Sequence, residues 1–319
     1  MQTTLRVRRF NPEQDEPSPY YQVYELEVNP EASVLDGLIK VRETIDDSLA
    51  LRCSCRGAIC GSCGMRINGH ATLACKTKII SVTSEGETIQ IEPMNNMPVI
   101  KDLVTDMASF WSKILQIQPW LQPQGPPPAT EYMAPPQAMS HLNGVMSCIM
   151  CGVCVSDCTV LEVDSQFVGP AALAKAYRFV ADPRDAATQQ RLEDLNTPGG
   201  MWDCTRCMEC IQACPKGVGP MDRIMSLRAK GMATKIPATC GSRHAKVFTD
   251  IIKHKGILDE PMLAVRTFGL KHVGRLFEMI PMVLQSALKG KVPLSGPLHK
   301  PLTSIRHIQR LFKRNKTKS

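Results

Sequence analysis

Fourteen cysteines run through this 319-residue sequence, and twelve of them fall into three spaced sets. Cys55, Cys60, Cys63 and Cys75 follow Cys-x4-Cys-x2-Cys-x11-Cys. Three thiolates from one tight loop can wrap a small metal cluster while the fourth arrives from elsewhere, and this is the plant-type [2Fe–2S] spacing. Gly57, Gly61 and Gly64 allow backbone N–H groups to approach the sulfurs and stabilise a negative cluster. Zinc usually takes two ligand pairs from separate knuckles, so it fits this loop poorly.

Cys148, Cys151, Cys154 and Cys158 recur 56 residues later as Cys204, Cys207, Cys210 and Cys214. Both runs read Cys-x2-Cys-x2-Cys-x3-Cys. In two-cluster ferredoxins of the bacterial type, the fourth Cys of each run ligates the other cluster. Applied here, one [4Fe–4S] cluster takes Cys148, Cys151, Cys154 and Cys214, and the other takes Cys204, Cys207, Cys210 and Cys158. Such a crossover fixes two centres close together, a short path for electron tunnelling. Pro215 follows Cys214 as in that pattern, whereas Thr159 follows Cys158 and departs from it. Cys53 reads as a small, partly buried side chain and Cys240 as a structural or free thiol. Seven His are scattered without paired spacing, so His ligation is not expected.

Other chemistry is missing. No Gly-x-Gly-x-x-Gly follows a strand, and Gly217-Val218-Gly219 fails the third position, so no nicotinamide or flavin fold is expected. No acid–base or nucleophile constellation stands out, and no catalytic residue is assigned. One-electron centres without a two-electron cofactor make a relay, which implies a substrate-oxidising partner.

The elements that position these cysteines read as α+β. Strand-type alternation covers Leu5–Phe10 and Tyr21–Val28, and Ser33 can cap a helix carrying Val34, Leu35, Leu38, Ile39 and Ile45. Strands are expected at Ile79–Thr83 and Thr88–Ile91 around a turn at 85–87. Residues 1–100 thus form a β-grasp ferredoxin-type domain. Pro93–Pro98 reads as a linker and 101–118 as a helix. Seven prolines in Pro119–Pro136 mark an irregular spacer. Residues 101–240 form a helical two-cluster domain, with helices at Pro170–Ala181, Arg184–Leu195 and Pro220–Gly231. Residues 241–319 form a helical basic extension.

Apolar residues at 43% suit a globular chain, and aromatics at 5% leave its cores to aliphatics and Met. The net charge of +8 is unevenly placed: residues 1–240 hold 22 Lys+Arg and 26 Asp+Glu, residues 241–319 hold 16 and 4. MQTTLRVRRF has no apolar run, so no signal peptide is expected, and cysteines then favour metal over disulfides. No stretch is long and apolar enough for a membrane-spanning helix, and no nucleic acid partner is expected.

The two cluster motifs in this order resemble the iron–sulfur subunit of succinate dehydrogenase and fumarate reductase. Pro98–Asp106, Phe167–Leu173, Ala176–Phe179 and Cys214–Gly217 are also similar to that family. The resemblance implies a flavoprotein partner that interconverts succinate and fumarate on its own FAD. Electrons enter at the [2Fe–2S] cluster, pass the Cys148/Cys151/Cys154/Cys214 cluster, and leave through the third cluster towards quinone. Most family members lack Cys at position 207 and hold [3Fe–4S] there through the equivalents of Cys158, Cys204 and Cys210. The extra Cys207 implies [4Fe–4S]. Thr159, Val163 and Thr205 replace the family's usual Pro, Trp and His near quinone. These departures resemble a branch whose membrane anchor is a Cys-rich subunit related to heterodisulfide reductase, as do Arg243–Phe248 and Ile251–Pro261. Quinone would then be reached indirectly, on the cytoplasmic face of a prokaryotic membrane. The alternative is a relay for another flavoenzyme or a heterodisulfide reductase. In the extension, 243–289 suits docking on a partner subunit. The stripe Leu302, Ile305, Ile308, Leu311 and Phe312, with its basic neighbours, suits contact with an anionic membrane surface.

Overall fold

The computed structural model describes residues 1–84, 87–234, 236–269, 273–278, 280–290 and 301–316. The chain divides into two compact units, Met1–Ile236 and Pro237–Ser319.

The first unit begins with a five-stranded sheet. Strand β1 (Gln2–Arg9) buries Thr3, Leu5, Val7 and Arg9 in strict alternation, the period of a strand with one face covered. It pairs antiparallel with β2 (Tyr20–Glu27) along its whole length, Gln2 opposite Glu27 and Arg9 opposite Tyr20. A hairpin follows, β3 (Gly64–Ile67) and β4 (His70–Leu73), turned by Asn68 and Gly69 at φ of 48° and 83°. Asn-Gly is the common pair for such a two-residue turn. Strand β5 (Thr88–Glu92) lies parallel to β1, giving the order β2-β1-β5-β3-β4. Helix α1 (Val34–Thr44) covers one face. Ser33 and Asp36 close its N-terminus as a capping box, and Val34, Leu35, Leu38 and Val41 are buried.

Two expected elements next to the sheet differ. Ile79–Thr83 is not a strand: Ile79–Ser81 forms one 3₁₀ turn. The Ser81 hydroxyl donates to the Lys78 carbonyl and the Thr83 hydroxyl to those of Ser84 and Glu87. These local bonds compete with a ladder. The expected turn at 85–87 falls partly on residues 85 and 86, outside the described residues. The expected helix over 101–118 is limited to Ala108–Gln116, because Val99–Lys101 and Val104–Thr105 pair as a small ribbon. The ribbon is held by Asp102, which is 1% exposed. Its carboxylate accepts from Arg9 Nε (2.9 Å), Phe10 N (3.0 Å) and Ala50 N (2.8 Å). That buried charge cluster ties β1 to the chain entering the first Cys loop.

The rest of the first unit is helical. Pro170–Val180 packs against Pro220–Ala233, with buried Ala171, Ala172, Ala174 and Ala176 allowing close approach. The expected helix at 184–195 starts later and covers Thr188–Asp194, since Asp182 and Asp185 accept backbone N–H groups in the preceding turn. Pro119–Pro135 carries no helix or strand. Arg191 anchors its start by donating to the carbonyls of Ile117, Gln118 and Trp120.

The second unit carries described helices at Cys240–Lys255, Glu260–Phe268, Val273–Glu278, Ile280–Leu288 and Ile305–Lys316. Thr239 and Ser242 box the first of these, and Gly256 ends it at φ 77°. A Cβ on Gly256 would lie 3.0–3.3 Å from Leu302, Ile305 and Ile308. Part of the apolar stripe expected to face a membrane is therefore spent inside this unit. No described helix is long and apolar enough to cross a membrane.

Candidate iron–sulfur cluster sites

The first loop folds its backbone around its own sulfurs. Arg56, Ala58 and Gly61 take φ of 53°, 54° and 74°, and alternating left-handed residues turn successive N–H groups inwards. Gly57, Ile59 and Cys60 direct N–H groups at the Cys55 sulfur from 3.3–3.4 Å. Ala58 N–H points at Cys75 Sγ (3.3 Å) and Cys55 N–H at Cys60 Sγ (3.5 Å). Cys60 Sγ lies 3.1 Å from the Ser62 hydroxyl, which draws its pKa down to about 6. Cys63 is buried, and desolvation pushes its thiol up to about 12, with Cys75 and Cys60 adding to the rise. Cys55, Cys60, Cys63 and Cys75 thus share one neighbourhood. Cys53 is half-buried against the hydrophobic core.

The second neighbourhood is a cavity lined by Cys148, Cys151, Cys154 and Cys214, its other walls including Ala171, Ala174, Val218 and Pro220. Val218 N–H points at Cys214 Sγ (3.4 Å). Burial pushes Cys151 up to about 11 and Cys154 well above the ordinary thiol value, helped by the like charges of Cys148 and Cys214. The third neighbourhood joins Cys158, Cys204, Cys207 and Cys210. Burial raises Cys158 and Cys210, the latter to about 12, and Cys204 and Cys207 push both further. Cys210 also acts on Cys154, so the two groups adjoin.

The donor chemistry suits clusters. Several thiols crowded in apolar surroundings cannot all ionise without a positive partner, and metal binding to thiolates supplies one while releasing protons. Among the described residues, no three His, Cys, Asp or Glu groups meet as a single metal ion would require. A cluster sets its ligands wider apart than one ion does.

The two Cys runs share a backbone form. Met150 (φ 57°) and Gly152 (φ 79°) flank Cys151; Arg206 (φ 63°) and Met208 (φ 72°) flank Cys207. Each run continues into one short helix, Val153–Ser156 and Glu209–Gln212. A left-handed Met or Arg is uncommon, and its recurrence at matching positions marks a loop whose shape is dictated.

The first loop abuts the second neighbourhood. A Cβ on Gly61 would lie 2.6 Å from Cys151 Cβ and 3.0 Å from its Cα. Asp157 binds Arg66 and the Ala71 N–H of the hairpin. Lys76 donates to the Pro215 carbonyl (3.0 Å), and Asn96 Nδ2 to those of Val155, Ser156 and Cys158. Arg228, 3% exposed, donates to the carbonyls of Met201, Trp202 and Cys204, holding the loop that leads into the third group. Spacing arguments did not single out Gly61 for contact with Cys151, nor Asp157, Asn96 or Arg228. The hairpin carrying Arg66 was not expected either, although the Asn68-Gly69 turn signal could have found it.

Family models agree with this division. A 2Fe-2S iron-sulfur cluster binding domain matches residues 4–112, and a 4Fe-4S dicluster domain matches residues 144–218. Together they define an iron–sulfur electron-transfer protein. The fumarate reductase iron-sulfur subunit of Mycobacterium tuberculosis (strain CDC 1551 / Oshkosh) is 40% identical over 222 residues, 69% of this chain and 89% of that protein. A chain of the Mycobacterium smegmatis Sdh1 complex in the apo form matches with a TM-score of 0.68 at 27% identity, covering 73% of this chain and 97% of that one. The chain therefore belongs to the family of iron–sulfur subunits of succinate dehydrogenase and fumarate reductase.

Proposed function

We propose that this chain relays electrons between the FAD of a flavoprotein subunit, where succinate and fumarate interconvert, and quinone, reached through a Cys-rich membrane-associated partner. Cys55, Cys60, Cys63 and Cys75 would hold [2Fe–2S]. Cys148, Cys151, Cys154 and Cys214 would hold one [4Fe–4S], and Cys158, Cys204, Cys207 and Cys210 the third centre. Bound clusters of this kind take up and release single electrons. The carrying observation is the contact of Gly61 with Cys151, next to thiols that gather across the two Cys runs. It supports a continuous series of three centres in one rigid unit.

The residues around each site have definable tasks. N–H groups aimed at Cys55, Cys60, Cys75 and Cys214 would favour the reduced, more negative state. Arg66–Asp157, Lys76 and Asn96 hold the first two sites at fixed separation. For the third centre we favour [4Fe–4S], because Arg206 and Met208 present Cys207 in the backbone form that presents Cys151. Exit at that centre is supported by exposed Cys207 and by Val163 and Met208, 89% and 47% exposed, an apolar rim on which a partner can dock. Thr159, Val163 and Thr205 stand where the family usually has Pro, Trp and His, so the partner would carry quinone. The basic second unit would bring the complex to an anionic cytoplasmic membrane face. Redox titration of the assembled complex, followed by EPR, tests the scheme: three separately titrating centres are expected, and fewer than three would overturn it.

A further inference from the structure

The second unit contains a helix that its own packing leaves uncovered. Ile280–Leu288 has no buried residue. Ile280, Met282, Val283, Leu284 and Leu288 are 44, 57, 44, 55 and 87% exposed, and Phe277, just before, is 64% exposed. Its nine residues, IPMVLQSAL, carry no charge. At helical spacing, Ile280, Val283, Leu284, Ala287 and Leu288 share one side and Met282 stands on the other, so only Gln285 and Ser286 interrupt an apolar circumference. A groove on a protein needs one apolar face; a helix apolar around most of its girth suits a surrounding apolar medium.

The charge around it selects the medium. Residues 279–319 hold nine Lys+Arg and no Asp or Glu. Lys289 follows the helix directly, and Arg306, Arg310 and Lys313 are exposed on Ile305–Lys316. A segment with no acidic residue complements an anionic surface. Nine helical residues rise about 13 Å, under half of a hydrocarbon core of about 30 Å, so the helix fits within one leaflet. The stripe at 302–308 is less free for this part, because Leu302, Ile305 and Ile308 are turned onto Gly256, with Leu302 still 41% exposed.

We infer that Ile280–Leu288, with Phe277, inserts into the interfacial layer of an anionic bilayer, while the basic residues of 289–316 hold the unit to its headgroups. This deepens the membrane-associated relay proposed above and rests on it. Insertion and charge are carried by different elements, so they separate experimentally.

Flotation of the cluster-loaded full-length chain with phosphatidylglycerol or phosphatidylcholine vesicles is the test. Val283→Asn/Leu284→Gln/Leu288→Gln alters exposed residues and leaves the charge unchanged. It should lower partition into phosphatidylglycerol vesicles at least about tenfold at low and high salt. Arg306→Gln/Arg310→Gln/Lys313→Gln should weaken the preference for phosphatidylglycerol and the salt dependence at least about tenfold. The indole introduced by V283W should shift to the blue on binding and be quenched by brominated acyl chains. Equal flotation of the apolar triple variant and the wild type would overturn the inference. So would vesicle binding that stays unchanged while the triple variant fails to join the membrane-associated partner in detergent, which would make the helix a protein dock. Cluster EPR on the same samples keeps the readings apart: missing centres in the wild type would sink the relay, not the insertion.

Discussion

Two residues carry the sharpest expectations. Cys207 is exposed, and its loop repeats the backbone of the loop at Cys151. Protein purified without air should show no strong [3Fe–4S] EPR signal when oxidised, and Cys207→Ser should introduce one. A strong signal in undamaged wild type would mean that Cys207 is not a ligand. Gly61 combines φ of 74° with a Cβ position 2.6 Å from Cys151. Gly61→Ala should destabilise the first unit by about 1–3 kcal/mol and slow electron passage from the first centre to the second. Thermal melts and flash-photoreduction kinetics check the two effects, and no change in either would show the close approach to be dispensable. The cysteines were legible because ligand spacing is a local property of a loop. The demand on Gly61 was not, because its neighbour is 90 positions away in the chain.

At the scale of elements, the Arg9–Asp102 cluster joins β1, the 46–50 loop and the 99–105 ribbon. Removing one partner of a buried, hydrogen-bonded charge pair costs about 3–5 kcal/mol, so Asp102→Ala should lower the urea midpoint steeply and loosen the entry to the first Cys loop. Asp46 belongs to the same cluster. Burial works to raise its pKa, yet hydrogen bonds from Ser48, Tyr24 and Arg9 hold it well below the ordinary carboxylate value. A depressed carboxylate contributes stability above its unfolded pKa, near 3.9, and loses it as pH falls towards the folded value. The stability gap between wild type and Asp46→Asn should therefore narrow as the pH is lowered below about 4, and a constant gap in urea titrations would refute this. Alternation revealed β1 and β2. It misassigned 79–83 because Ser81 and Thr83 satisfy carbonyls locally, and it missed the ribbon because the anchor of Asp102 lies 93 residues earlier in the chain.

For the whole molecule, the proposed relay would hand its electrons to a further subunit, with the exposed Val163 and Met208 offering an apolar docking surface. This chain with its flavoprotein should reduce artificial dyes from succinate but not quinone, and adding the membrane-associated partner should restore quinone reduction. Robust quinone reductase activity from the two-subunit preparation would overturn this. From the sequence alone came the thiol sets, the two-part cluster-binding order, the acidic–basic division of the chain and the absence of a membrane-spanning stretch. All of these follow from residue type and short-range spacing. Tertiary structure alone decided that Gly61 meets Cys151. It also buried Arg9 beside Asp102, turned the stripe at 302–308 onto Gly256 and left Ile280–Leu288 uncovered. Those outcomes depend on contacts between distant segments, and burial is settled only when the elements have packed.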